Sequence, residues 1–76
     1  MSGNNELQPI DWQILGVVEK FIDEQRMCPT LEEIGERVNR SIASVWDHVQ
    51  LLKEHEYLLQ DRGQARSIRP GPRLRR

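Results

Sequence analysis

Seventy-six residues with one cysteine, Cys28, are too few for a second core and exclude an internal disulfide. A chain of this size buries only about 60% of the surface its unfolded form exposes, so three helices, or helices plus a hairpin, are about all that one core can close. The formal net charge of −1 hides a division: residues 1–60 carry five basic against eleven acidic side chains, net −6, and residues 61–76 carry six arginines against Asp61, net +5.

A basic end on an acidic body points to a polyanion partner; the plainer reading is a solubilising tail. No apolar run approaches the roughly 18 residues of a membrane span. The N-terminus lacks a basic stretch before an apolar one, and the lone thiol suits a reducing compartment. The expectation is a cytoplasmic protein of prokaryotic or phage type, with no membrane partner.

Residues 1–6 are polar and expected to be disordered. A first helix is predicted from about Pro9 to Gln25, with Ile10, Ile14, Val17, Val18, Phe21 and Ile22 forming one apolar stripe. Pro9 suits the first helical position, and Asp11 suits the positive end of the helix dipole. Met27-Cys28-Pro29-Thr30 breaks the pattern. Thr30 with Glu33 three residues on spells a capping box for a short second helix, about Leu31 to Val38, with Leu31, Ile34 and Val38 on one face. Gly35 in its middle weakens the helix by up to about 1 kcal/mol relative to alanine, which implies close approach of the next helix.

Asn39 suits a left-handed helix exit, and Ser41 suits the N-cap of a third helix running from Ile42 to about His55. Val45, Val49 and Leu52 form its inner stripe, with Ile42 and His48 at the margins. Successive rotations of 100° then send Arg40, Ala43, Asp47 and Gln50 outward and put Ser44 and Trp46 on the flanks. Next, Tyr57-Leu58-Leu59-Gln60 and Ala65-Arg66-Ser67-Ile68-Arg69 bracket Asp61-Arg62-Gly63-Gln64 as a hairpin, and Pro70-Gly71-Pro72 is expected to end any strand. The order defines a mainly α fold with a small β part: a three-helix winged helix-turn-helix with a C-terminal two-stranded hairpin as its wing. Residues 7–70 form the domain and 71–76 a flexible basic tail.

Met27-Cys28-Pro29-Thr30, Glu33-Ile34-Gly35-Glu36-Arg37-Val38, Ser44-Val45-Trp46-Asp47-His48-Val49-Gln50-Leu51-Leu52 and Arg66-Ser67-Ile68-Arg69 follow one another in an order that resembles the N-terminal DNA-binding domain of the LexA repressor family. The resemblance covers Leu7 to Pro70. It implies a winged helix-turn-helix that binds operator DNA and represses transcription. It places base contacts on the first half of the third helix, here Ser41, Ala43, Ser44, Trp46 and Asp47, and phosphate or minor-groove contacts on the wing through Arg62 and Arg66. Gly35 stands where the family commonly has alanine, and Trp46 where it commonly has a polar or small residue. The family's self-cleaving Ser-Lys protease domain is not in these residues, which implies a chain without self-cleavage and without that domain's dimer interface.

The candidate DNA-binding residues are therefore Arg40, Ser41, Ala43, Ser44, Trp46, Asp47 and Gln50 on the recognition helix, and Arg62, Gln64, Arg66 and Arg69 on the wing. Ser41 serves equally as a plain N-cap. Gln50 can read adenine bidentately or stay solvated. Trp46 can lie against thymine methyls or a sugar edge, pack beside the wing or anchor a protein contact, with packing the first expectation, and Asp47 repels phosphate unless it accepts from a cytosine amino group. His48 is expected to be structural. Catalysis is not expected: His55-Glu56 begins a zinc-protease pattern, but Leu59 stands where the second histidine belongs, and Cys28, His48 and His55 lack zinc spacing. No cofactor and no metal are expected. The partner is double-stranded DNA, met as a homodimer or with another regulator. The competing reading is a protein-interaction module on the same fold, binding or interfering with another regulator.

Overall fold

Three helices and a short antiparallel ribbon follow one another in the computed structural model, which describes residues 7–74. The six N-terminal residues expected to be disordered, and Arg75 and Arg76, lie outside the described residues. Helix α1 spans Pro9–Gln25, α2 Leu31–Val38 and α3 Ile42–Glu54. Strands β1, Leu58–Leu59, and β2, Arg69–Pro70, pair antiparallel with Leu58 opposite Pro70 and Leu59 opposite Arg69. The winged helix-turn-helix expected from the sequence is the fold observed.

Helix α1 starts as its residues dictate. Pro9 occupies the first turn, and the Asp11 carboxylate accepts the Gln8 backbone N–H at 2.8 Å. The helix ends at Arg26, whose left-handed conformation lets its N–H reach the Ile22 carbonyl at 2.9 Å. Its buried face is Ile10, Asp11, Ile14, Leu15, Val18 and Phe21. The expected stripe is thus rotated: Leu15 is buried, while Val17 and Ile22 are half-buried. The cause is that α1 packs on β2 as well as on α2 and α3, so the ribbon covers a flank that helix contacts alone would leave open.

The Thr30 capping box forms: the Glu33 N–H donates to Thr30 Oγ1 at 3.1 Å, and the Thr30 N–H donates to Glu33 Oε1 at 2.9 Å. Asn39 leaves α2 left-handed with φ 60°, and Ser41 caps α3 by accepting the Ser44 N–H at 3.1 Å. Gly35 permits the tight turn between them. A Cβ there would stand 2.7 Å from the Arg40 carbonyl oxygen and 3.6 Å from Val45 Cγ2. The close approach is therefore made first by the turn and only then by α3.

The ribbon is shorter than the sequence pattern suggests. Only two residues pair on each side, and 60–68 form a loop between them. Pro70, expected to lie beyond the strand, pairs with Leu58. Antiparallel ladders alternate hydrogen-bonded and non-bonded pairs, and the Gly71 N–H bonds to the Tyr57 carbonyl at 2.8 Å, so Pro70 occupies a position that asks for no N–H. Gly71 to Leu74, in the stretch anticipated as a flexible tail, fold back: the Arg73 N–H reaches the Glu56 carbonyl at 3.0 Å, and Leu74 packs against the core. That core joins Ile14, Leu15 and Val18 of α1, Ile34 of α2, Val45, Val49 and Leu52 of α3, and Leu58 and Ile68 of the ribbon. Among the described residues, no helix is long and apolar enough to cross a membrane.

Candidate nucleic-acid interface

Burying Val45, Val49 and Leu52 leaves the opposite side of α3 to face outward. Arg40, Ser41, Ala43, Trp46 and Asp47 are exposed, while Ser44 and Gln50 are half-buried. Ile42, expected at the core margin and the first residue of α3, is also exposed. Trp46 is 50% exposed, half covered beside the wing. It lines an open groove between α3 and the wing loop, with Gln50 beside it and Gln60, Arg62 and Gln64 across from it. Lys53 Nζ donates to Gln60 Oε1 at 3.1 Å and ties the last turn of α3 to the root of the loop.

The wing loop is held by side chains instead of a ladder. Ser67, one of two buried polar residues of the described chain, accepts the Asp61 N–H on its Oγ at 2.9 Å and donates to the Gln64 carbonyl at 2.8 Å. Arg69 donates to the Ser67 carbonyl at 2.9 Å and pairs with Asp61 Oδ1 at 3.3 Å. These bonds close a small, self-supporting loop that presents Arg62, Gly63 and Gln64 at its tip. Gly63 takes the positive φ, 76°, that the tip requires.

The wing arginines thus differ in what they do. Arg62 is exposed and makes no ion pair or side-chain hydrogen bond among the described residues, and the same holds for Arg40 at the mouth of α3. Arg66 forms a two-pronged pair with Glu33: Nη1 donates to Oε1 and Nη2 to Oε2, each at 2.8 Å, and Nη1 also donates to the Cys28 carbonyl at 3.0 Å. The Arg66 guanidinium, together with the Thr30 N–H, holds the Glu33 carboxyl down at about 2. Arg66 is itself pushed up by the same contact. Arg69 is committed to the loop's own frame.

The structure therefore brings Trp46 and Gln50 together with Arg62 and Gln64 on one groove, and it ties Arg66 to α2 and Arg69 to the loop while leaving both partly exposed. Sequence reasoning missed Ser67 and the Glu33–Arg66 and Lys53–Gln60 ties. Glu33 was already conspicuous as a cap, but its arginine lies 33 residues away, and no local pattern links them. Among the described residues, no three His, Cys, Asp or Glu side chains gather as a metal ion requires.

A helix-turn-helix whose second helix stands exposed beside an arginine-tipped wing defines a class of DNA-binding domain. A family model described as LexA DNA binding domain matches residues 4–67, and the chain belongs to that family. No curated protein matches the chain. Membership gives the domain a DNA-binding role in the regulation of transcription and places it in a fold used for binding and not for catalysis.

Proposed function

We propose that this domain is a sequence-specific repressor module for double-stranded DNA, with the exposed face of α3 in the major groove and the wing tip on the adjoining backbone. One observation carries the reading: Trp46, Gln50 and Lys53 of α3 and the unpaired Arg62 line the same open groove, while Arg40, Ser41, Ala43 and Asp47 stand exposed at the start of the same helix. Arg40 and Arg62 would neutralise phosphates on either side of α3, and the Ser41 hydroxyl and nearby amides would meet the backbone at the helix N-terminus. Ala43 and Trp46 would lie against thymine methyls or sugar edges, Asp47 would accept from a cytosine amino group, and Ser44, Gln50 and Gln64 would read base edges or phosphate oxygens. Arg66 and Arg69 add to the positive field of the wing. One such face contacts a half-site, so two protomers on a two-fold operator are expected.

Selection of bound duplexes from a random pool tests this. A recovered palindrome with half-sites about one helical turn apart supports the reading. The selected site should also lose affinity linearly in log K against log salt, by about 0.9 per phosphate neutralised. Asp47 beside the half-exposed Trp46 favours a second reading, in which the same face docks on another regulator protein. A pool that yields no enriched sequence, with binding insensitive to salt, would decide for that alternative.

A further inference from the structure

We propose that Arg66 is a positioning residue: clasped by Glu33, it acts as a strut that sets the wing loop at the height where its tip meets the duplex bound by α3. This rests on the DNA-binding reading above and deepens it, because it moves Arg66 from the contact surface to the frame behind it. Every side-chain bond Arg66 makes goes to α2 and the segment before it: two parallel bonds of 2.8 Å to the Glu33 carboxylate and one of 3.0 Å to the Cys28 carbonyl. A planar fork matched to a carboxylate fixes direction as well as distance, which a lysine cannot do.

The wing needs such a device. Its ladder is only two residue pairs long, too short to define the tilt of a nine-residue loop. The Ser67 and Arg69 bonds make the loop rigid within itself, yet they all run between residues 61 and 69 and leave its orientation open. Ile68 anchors the end of the loop in the core, and two polar ties cross from the loop to the helices. Lys53–Gln60 reaches α3 with a single bond between two flexible side chains. Arg66 lies next to Ser67, at the point where the rigid loop is gripped, and reaches α2, which the turn couples to α3. Glu33 is held in place by the Thr30 cap, so the far end of the strut does not swing. Half-exposed ion pairs add little to global stability, so the pair's effect falls on wing geometry more than on folding.

The test is a pair of variants and their combination, Glu33→Gln, Arg66→Met and the double variant, compared with the wild-type chain. Glu33→Gln keeps an oxygen for the Thr30 N–H but turns an amide donor toward Arg66. It removes a negative charge from a DNA-binding surface and undoes the two-pronged clasp, leaving Arg66 only its Nη1 bonds to Oε1 and the Cys28 carbonyl, so simple electrostatics and a direct Arg66–phosphate contact both expect binding to be unchanged or tighter. The strut expects the opposite: affinity for the selected duplex falls about tenfold in each single variant, and the double variant falls no further. The slope of log K against log salt stays at the wild-type value, whereas loss of a true phosphate contact flattens it by about one unit. Circular dichroism showing wild-type helix content confirms that the variants fold. Without DNA, residual dipolar couplings of residues 58–70 should report a changed orientation of the wing relative to α2 and α3 in both single variants. Glu33→Gln binding as tightly as wild type, a flattened slope in Arg66→Met, or unchanged couplings would each overturn the strut. A wild-type chain that binds no duplex would overturn the DNA-binding reading instead, and unchanged couplings would in that case overturn the strut too.

Discussion

Asp11 Oδ1 lies 2.7 Å from His48 Nδ1, joining the first turn of α1 to the middle of α3 across 37 positions of sequence. Asp11 is fully buried, and its second oxygen accepts the Gln8 N–H at 2.8 Å. One carboxylate therefore starts α1 and fastens α3 to it. A buried carboxylate stripped of one partner bears the desolvation penalty of the vacated oxygen. His48→Ala should accordingly destabilise the domain by about 1–3 kcal/mol, read as a lower urea midpoint at unchanged slope. Asp11→Ala combined with His48→Ala should lose less than the two single losses added together. Strict additivity would show that the contact contributes nothing of its own.

Gly71 makes a second prediction. A Cβ at this position would lie 2.5 Å from the Glu56 carbonyl oxygen and 3.1 Å from the Leu58 nitrogen. Both obstacles are backbone, and the Glu56 side is already held at a left-handed φ of 67°. Gly71→Ala must therefore push the chain after β2 away from the root of β1, at the expense of the Gly71–Tyr57 hydrogen bond. The expected loss is about 1–3 kcal/mol, measured by thermal or urea unfolding. A substitution tolerated without loss would mean that the ribbon's root shifts freely.

What could be read from the sequence is what local chemistry decides. Thr30 and Glu33, Asn39 and Ser41 announce their helix boundaries because each satisfies backbone groups within a few residues of itself. Val45, Val49 and Leu52 announce the inner side of α3 by spacing, and with it the outward side that carries Arg40, Ala43 and Asp47. The pairings made over distance were not legible. Arg66 reads as a free cation until Glu33 and Cys28 are brought beside it. Asp11 reads as a dipole partner until His48 meets it. Ser67 reads as an ordinary turn serine until its hydroxyl closes the wing. Leu15 was left out of the α1 stripe for a related reason: what buries it includes the ribbon, whose position no periodicity within the helix encodes.

The Glu33–Arg66 pair has a consequence in acid. The folded Glu33 carboxyl titrates at about 2 against an ordinary value of 4.5. Its contribution is therefore fully present above about pH 4.5, where the unfolded chain is also ionised, and it fades as pH falls toward 2 and the folded carboxyl takes up its proton. Urea unfolding of wild type and of Glu33→Gln across pH 2–6 isolates this group from the other carboxylates. The gap between the two midpoints, small because solvent screens so exposed a pair, should be constant above pH 4.5 and close steadily below it. A gap that stays open down to pH 2 would show that the carboxyl's charge is not what Arg66 senses.

The groove itself separates two kinds of contact. Arg62 stands free at the wing tip, so its guanidinium is available to phosphate without breaking an internal pair. Gln50 is half-buried on the α3 wall, where a bidentate amide can meet a base edge. Arg62→Ala should weaken binding to all duplexes about equally and lower the salt slope by about one unit. Gln50→Ala should leave the slope alone and change the preference at one base pair by about 1–3 kcal/mol. Competition binding with the selected site and single-position variants of it, run at several salt concentrations, reads both quantities at once. If Arg62→Ala instead altered preference at a single position, the wing tip would be reading bases in the minor groove. If Gln50→Ala left every preference intact, base reading would fall to the outer residues Ala43, Trp46 and Asp47, nearer the end of α3 that Ser41 caps.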